Sequence, residues 1–263
     1  MRKPPEPLES SEAPGTTAEQ AARTRGDTKR DYVRSLFNTI SPRYDFLRML
    51  VFAGHTSLWY RKALRGLGLR AGDRVLDVGC GTGESTRFLA RTYPGVRVEG
   101  MDLSPGMLSV AQHHAPQGQY FEGDVCAIPR PDASYDLVLT AFTFRNFPDH
   151  EVALREMLRV LAPGGRLIIL DHFYPRSSEL WRAAYTTWMK QVVPRLVSPF
   201  VEDTAPYRYL AESIINQLSI PQFASLMSQC GAELIHSELY TGGAAGRLIA
   251  RPRPPEASGS QPR

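Results

Sequence analysis

The sequence predicts an α/β chain organised on a doubly wound, mostly parallel seven-stranded sheet. Three observations carry that prediction. Residues Arg74–Gly83 read RVLDVGCGTG, a short apolar strand that runs into a glycine-rich turn and a helix start. Beyond it, short apolar runs alternate with helical patterns, as in parallel sheets covered on both faces. Near the end, Glu233–Tyr240 and Arg247–Ala250 flank TGGAAG as a hairpin, which supplies an antiparallel last strand.

In chain order, residues 1–30 and 252–263 are rich in Pro, Ser, Glu, Thr and Arg. Both are expected to be disordered, because they carry too little apolar surface to offset their ordering entropy, with a short amphipathic helix near Ala18–Arg25 as the one exception. Residues 31–72 form an arm. Tyr32, Val33, Leu36 and Phe37 recur at helical spacing, Pro42 breaks that helix, and Leu58–Leu67 restarts one. The arm is expected to lie over the ligand edge of a sheet domain spanning 73–251.

The first strand of that domain holds Val75, Leu76 and Val78, with Asp77 set among them. Gly79, Gly81 and Gly83 follow at alternate positions. Glycines admit positive φ and close approach of a ligand, and the helix that starts at Glu84 presents unpaired N–H groups. A dinucleotide fingerprint would place its third glycine at position 84, where a carboxylate is a poor neighbour for pyrophosphate. S-adenosylmethionine carries a sulfonium and an ammonium, which Asp77 suits better.

Val96–Met101 is the second strand, ended by Asp102, and Ser104 caps a helix running to about His114. Asp102 lies 19 residues beyond Gly83 and is placed to bond a ribose diol at the switch point of the sheet. After the third strand, Gln119–Glu122, Asp124 is expected to accept an adenine N–H, while Val125 offers a backbone N–H and an apolar wall. Tyr135–Ala141 is the fourth strand and empties into FTFRNFPDH. A helix at Glu151–Leu161 and a Pro163-Gly164-Gly165 turn lead to the fifth strand, Arg166–Leu170, followed by Asp171 and His172. Residues 173–230 are a helical insertion in which Trp181, Tyr185, Trp188, Met189 and Val192 share one helical face. Such a stripe serves either as ordinary core or as a lid over an apolar substrate.

Composition narrows the function. A chain of 263 residues suits one domain with additions and buries roughly 70–75% of its unfolded surface. Its three cysteines are an odd number without metal-ligand spacing, and the start has no apolar leader, so no metal site and a reducing, cytoplasmic setting are expected. No apolar run reaches the ~18 residues of a membrane span. Of the net charge of +4, only +1 belongs to residues 31–250, where no basic stripe marks a nucleic-acid binder.

The pattern D-x-G-x-G-x-G after a strand resembles motif I of the class I S-adenosylmethionine-dependent methyltransferases. From about Val33 to Gly243 the chain resembles, within that class, the ubiquinone/menaquinone biosynthesis C-methyltransferases of the UbiE/MenG type. The match rests on SPRYDFL with the later LWYRKAL, LDVGCGTG, MDLS, FTFRNFPD, VLAPGGRL and YRYLAESI at Tyr207–Ile214. FRN and YRYLAESI are its most specific parts. The chain departs from the family pattern at Arg48 (usually Asn), Thr56 (usually His, with His55 one residue early) and Thr143 (usually Gly). It also carries Gly246–Ala250 in place of A-x-H-x-G.

The resemblance implies a class I fold and S-adenosyl-L-methionine as cofactor. Asp77, Gly79, Gly81, Asp102, Asp124 and Val125 are joined in the candidate cofactor set by Thr82 and Ala141. The implied reaction is ring C-methylation of a prenylated quinol in respiratory quinone biosynthesis, with demethylmenaquinol or the equivalent ubiquinone precursor as acceptor. O- or N-methylation of another apolar small molecule is the alternative. A phenolic hydroxyl loses its proton, and the adjacent ring carbon attacks the sulfonium methyl. Arg145 cannot be the base; it and Asn146 are expected to bind the oxyanion, with Tyr44 placing it, and Asp171 and His172 are the alternatives for proton removal. At ~0.8 kcal/mol per buried CH₂, a prenyl tail holds the substrate in a bilayer. Peripheral contact with the inner face of the cytoplasmic membrane through Trp181–Phe200 is therefore expected. The sequence specifies no oligomeric state.

Overall fold

The apolar runs pair as their alternation predicts. In the computed structural model, which describes residues 17–175 and 178–253, β1 (Arg74–Val78), β2 (Arg97–Asp102), β3 (Gln119–Glu122), β4 (Tyr135–Ala141) and β5 (Leu161–His172) lie parallel. β6 (Ala232–Tyr240) and β7 (Ala245–Pro252) complete the sheet antiparallel, in the order β3-β2-β1-β4-β5-β7-β6. The chain steps outward from β1 to β3 and returns to lay β4 on the other side of β1. That reversal opens a crevice at the carboxyl ends of β1 and β4, where doubly wound sheets bind ligands.

Before the sheet come α1 (Ala18–Ala21), α2 (Asp27–Ile40), α3 (Tyr44–Val51) and α4 (His55–Leu64). Between strands lie α5 (Glu84–Thr92), α6 (Pro105–His114) and α7 (His150–Arg159). The insertion holds α8 (Glu179–Thr187), α9 (Val193–Val197), α10 (Ala205–Ile215) and α11 (Ile220–Gln229). Strand side chains alternate between two cores. Val75, Leu137, Leu139, Ile168 and Leu170 face Trp59, Leu64 and Leu89, while Leu76, Val78, Val138, Leu167 and Ile169 face Leu154, Met157, Phe223 and Met227. Burial on both faces is why these strands read as nearly continuous apolar runs.

Several boundaries differ from the sequence reading. Order begins before residue 31: α2 starts at Asp27, and Thr17 caps α1 in a reciprocal box with Gln20. Ala18 and Ala21 are buried in one cluster with Tyr209 of α10. Small side chains do this packing, which composition cannot register; residues 1–16 lie outside the described residues. At the other end β7 reaches Pro252, and the Arg253 N–H donates to the Gly231 carbonyl at 2.8 Å, so the expected tail at 252 starts no earlier than 254, outside the described residues. Helix α7 stops at Arg159 rather than Leu161, because Leu161 pairs with Tyr135 before the chain loops through Gly164 (φ +79°) and re-enters register at Leu137 and Arg166.

The aromatic stripe of the insertion is divided. A π-helical turn at Trp188–Val192 precedes Pro194, whose missing N–H cannot continue the α ladder. Tyr185, Met189, Val193 and Val197 fall inside, against Leu47 and Val51 of α3 and Tyr207, Ala211 and Ile214 of α10. Trp181, Trp188, Val192 and Phe200 stay 36–42% exposed. Among the described residues no helix is long and apolar enough to cross a membrane.

Candidate active site

The glycine turn is shaped by its backbone. Gly79, Gly81 and Gly83 have φ of +71°, +55° and +77°, which residues with a Cβ adopt only under strain. A Cβ on Gly79 would also lie 2.4 Å from the Thr143 methyl. The Gly79 and Cys80 N–H groups donate to the Met101 carbonyl at 2.7 and 3.0 Å, which docks the turn on the end of β2. Thr143, in place of the usual glycine, donates its hydroxyl to the Gly79 and Ala141 carbonyls, each at 3.0 Å. It fastens the loop after β4 to the turn.

A cleft of about 840 Å³ opens over this turn. Gly79, Gly81 and Thr82 form its floor, Asp102 stands at the end of β2, Asp124 and Val125 follow β3, and Ala141 ends β4. The Asp102 carboxylate accepts the Gly81 N–H at 2.8 Å and the Ser104 N–H at 2.9 Å, so it braces the turn and helps start α6. Burial pushes its pKa up, against these two bonds. Asp124 accepts the Cys126 N–H at 2.8 Å and lies 3.6 Å from Arg30 of α2, which roofs the cleft.

Asp77 is the exception in the predicted set. It is fully buried and absent from the cleft wall, and its Oδ2 accepts the Ser85 and Thr86 hydroxyls at 2.6 and 2.7 Å. Burial raises its pKa to about 6, opposed by those hydroxyls. Asp77 holds the turn to α5 from beneath, because its position on β1 points it below the glycines rather than above them.

A second, largely apolar cavity of about 590 Å³ adjoins the cleft. Phe37, Tyr44, Arg48, Phe142 and Asn146 line both spaces. The three predicted catalytic side chains therefore come together: Tyr44 and Asn146 at the junction, Arg145 on the wall of the second cavity. Asn146 is 3% exposed and its Oδ1 accepts the Tyr209 hydroxyl at 3.2 Å, which leaves its amide N–H groups to donate. Arg145 is clamped. Its Nη1 lies 2.7 Å from Asp171 Oδ1 and also donates to the Phe142 carbonyl, while Nε donates to the Ser213 hydroxyl at 3.3 Å. Asp171 in turn accepts the Arg145 and His172 N–H groups at 3.2 and 2.7 Å. Burial raises the Asp171 pKa while Arg145 opposes the shift. Phe142, at the junction, is held at φ +60°, a strained conformation for a bulky residue.

Sequence reasoning assigned no role to Arg48, Phe37, Phe142, Tyr207 or Tyr209, all of which line the second cavity. The specific stretch YRYLAESI was the signal for the last two: Tyr209 fixes Asn146 and Tyr207 walls the cavity. Arg48 pairs with Glu84 and lies 3.3 Å from Asp45, while its Nε and Nη1 are buried without partners. It fills the junction that a smaller side chain would leave open.

Comparison with known proteins agrees with this arrangement. Residues 25–250 match the ubiE/COQ5 methyltransferase family. The chain is 36% identical over 214 residues to a demethylmenaquinone methyltransferase of Thermus thermophilus, covering 80% of this chain and 96% of that protein. It is 38% identical over 210 residues to the ubiquinone/menaquinone biosynthesis C-methyltransferase UbiE of Geobacter sulfurreducens, covering 77% and 81%. Among solved structures, S-adenosylmethionine-dependent methyltransferases share the fold. One from Aquifex aeolicus has a TM-score of 0.55 at 19% identity and covers 78% of this chain and 96% of its own. A TehB-like one from Corynebacterium glutamicum has a TM-score of 0.55 at 18% identity and covers 82% and 99%. With its class I sheet, its glycine turn and a match that runs through arm, sheet and insertion, the chain belongs to the ubiE/COQ5 methyltransferase family.

Proposed function

We propose that this enzyme C-methylates a prenylated quinol with S-adenosyl-L-methionine, demethylmenaquinol being the favoured acceptor. The observation that carries the reading is the pair of adjoining spaces, one polar and glycine-floored, the other apolar, joined at Tyr44 and Asn146. The residues of the first space fit the cofactor. Asp102 and Asp124 offer carboxylates for a ribose and an adenine amine, Val125 and Met107 an apolar wall, and the glycine floor lets a chain of atoms lie close. When bound, the cofactor supplies an electrophilic methyl group on a sulfonium.

The chain's own residues do the rest. Arg145 and Asn146 present donors to the developing phenolate, and Tyr44 borders both spaces where the ring must meet the methyl. A fixed approach of ~3–3.5 Å supplies several kcal/mol of the barrier. Apolar walls keep water out while the sulfonium charge is lost, and fixed donors are stronger there than in water. A prenyl tail leaves the second cavity beside α3 and the insertion, and brings the enzyme to the membrane surface.

The test is to incubate the protein with methyl-labelled S-adenosyl-L-methionine and a lipid extract from a strain blocked in quinone methylation, then identify the product. A C-methylated naphthoquinol is expected; an O- or N-methylated product rejects the reading. Arg145→Lys keeps a cation against Asp171 and removes the planar fork. Its kcat should fall about 10²-fold with cofactor affinity within threefold, and unchanged turnover would remove Arg145 from the mechanism.

A further inference from the structure

Among the described residues, the charged side chains lining the cofactor cleft are Arg30, Arg48, Glu84, Asp102 and Asp124. Three of them stand at one end. Asp102 ends β2, Asp124 follows β3, and Arg30 lies 3.6 Å from Asp124, all over the strands on the outer side of β1. Arg48 and Glu84 stand at the other. Glu84 opens α5 directly beyond the glycine turn of β1, and Arg48 borders the second cavity as well as the cleft. A cofactor whose adenosine lies over β2 and β3 therefore carries its sulfonium across the glycine floor and its amino-acid end toward Arg48 and Glu84.

The surrounding elements hold this pair in place. Thr82 donates its hydroxyl to Asp45 at 2.8 Å, which docks α3 on the turn, and Arg48 Nη2 pairs with Glu84 and lies 3.3 Å from Asp45. Ser57 of α4 donates to Glu84 Oε1 at 3.4 Å, and the Tyr44 ring centre lies 5.9 Å from the Arg48 guanidinium. The pair has capacity to spare. The bond to Glu84 Oε1 is long, and Arg48 Nε and Nη1 have no partner. Charged donors left alone in the interior are costly. Both nitrogens are enclosed, so they reach a ligand only when the guanidinium turns on its long stem.

We propose that Arg48 and Glu84 clamp the amino-acid end of S-adenosyl-L-methionine, a proposal that rests on the cofactor reading. The α-carboxylate draws the guanidinium round to itself, and the α-ammonium takes Glu84. One ion pair within the protein is exchanged for two with the ligand. A guanidinium meets both oxygens of a carboxylate and keeps its charge, whereas the asparagine usual at position 48 offers a neutral amide. The clamp is thus particular to this chain. Seating the amino-acid end beside Tyr44 leaves the sulfonium at the junction, where the acceptor ring enters.

Calorimetry with three ligands tests the clamp without turnover. S-adenosyl-L-homocysteine carries both charged groups, S-adenosyl-3-thiopropylamine lacks the carboxylate, and 5′-methylthioadenosine lacks both. In the wild type, loss of the carboxylate should weaken binding about tenfold or more; a change below threefold overturns the proposal, and this comparison needs no variant. Arg48→Met keeps the stem and removes the charge. It should weaken S-adenosyl-L-homocysteine about tenfold or more and the other two ligands less than threefold, with most of the loss recovered in Arg48→Lys. Glu84→Gln should weaken both ammonium-bearing ligands at least fivefold and leave 5′-methylthioadenosine within twofold. An equal loss for all three ligands in either variant marks a merely structural pair and overturns the clamp. If none of the three binds the wild type, the cofactor reading falls and the clamp with it; if all three bind alike, the clamp alone falls.

Discussion

Asp77 lies two residues before the first glycine of the turn, yet its carboxylate drops beneath it, onto Ser85 and Thr86. Its folded pKa of about 6, raised first by burial, exceeds the ~3.9 of an unfolded chain. The fold thus favours the protonated form, and this contribution is fully present below about pH 4 and lost as pH rises through about 6. Two pH units correspond to about 3 kcal/mol. Asp77→Asn never carries the charge, so its stability relative to wild type should rise by about 2–3 kcal/mol between pH 4 and pH 7. Urea unfolding at both pH values measures this, and a pH-independent difference would count against the buried charge. The residue pattern told that a carboxylate belonged at the turn. It could not tell the face, because one residue of register on β1 decides between roof and foundation. Arg48 was equally hidden: its partner Glu84 is 36 positions away, and only the tertiary fold brings them together.

At the scale of elements, α2 does more than the arm was expected to do. Lys29 Nζ donates to the Arg145 carbonyl at 2.8 Å, and the Gly26 N–H donates to the Pro148 carbonyl at 3.0 Å. Asn38 Oδ1 accepts the Ser104 hydroxyl at 2.6 Å and the Gly106 N–H at 3.0 Å. Arg30, Val33 and Phe37 of the same helix line the cofactor cleft, and Leu36, Phe37 and Ile40 line the second cavity. Each bond is worth about 1 kcal/mol net. The double variant Lys29→Ala, Asn38→Ala should therefore release S-adenosyl-L-methionine at least tenfold faster in a stopped-flow chase, with helix content by circular dichroism unchanged. An unaltered off-rate would show that α2 is not the roof. Its apolar spacing made this helix legible from residue 32 onward. Its first turn, DTKR, was not: burial there belongs to Lys29, whose value as an anchor depends on a carbonyl more than a hundred positions away.

Across the whole molecule the centre of the sheet was legible because β1, β4 and the second half of β5 are buried on both faces, so the burial signal lies in local composition. The insertion was less so, since a π-turn rotates the stripe and sends alternate aromatics outward. Those outward residues have a use in the proposed function. Phe46 and Met49 of α3, with Trp188, Val192 and Phe200 of the insertion, are 37–55% exposed, and Phe46 meets Phe200 at 5.3 Å. The inner faces of the same elements, Leu47 and Val51, wall the acceptor cavity. An apolar rim around a cavity for a lipid is suited to rest on a bilayer, with roughly 1.5–3 kcal/mol per Phe or Met fully buried. Flotation with anionic liposomes should carry the protein upward, and Phe46→Ser with Phe200→Ser should reduce the floated fraction about tenfold. A protein that stays at the bottom with or without quinol would exclude this docking face.

The helix that covers both spaces also couples them. Because Phe37 of α2 lines both compartments, any displacement of that helix reshapes the two together, so occupancy of one space is expected to alter affinity in the other.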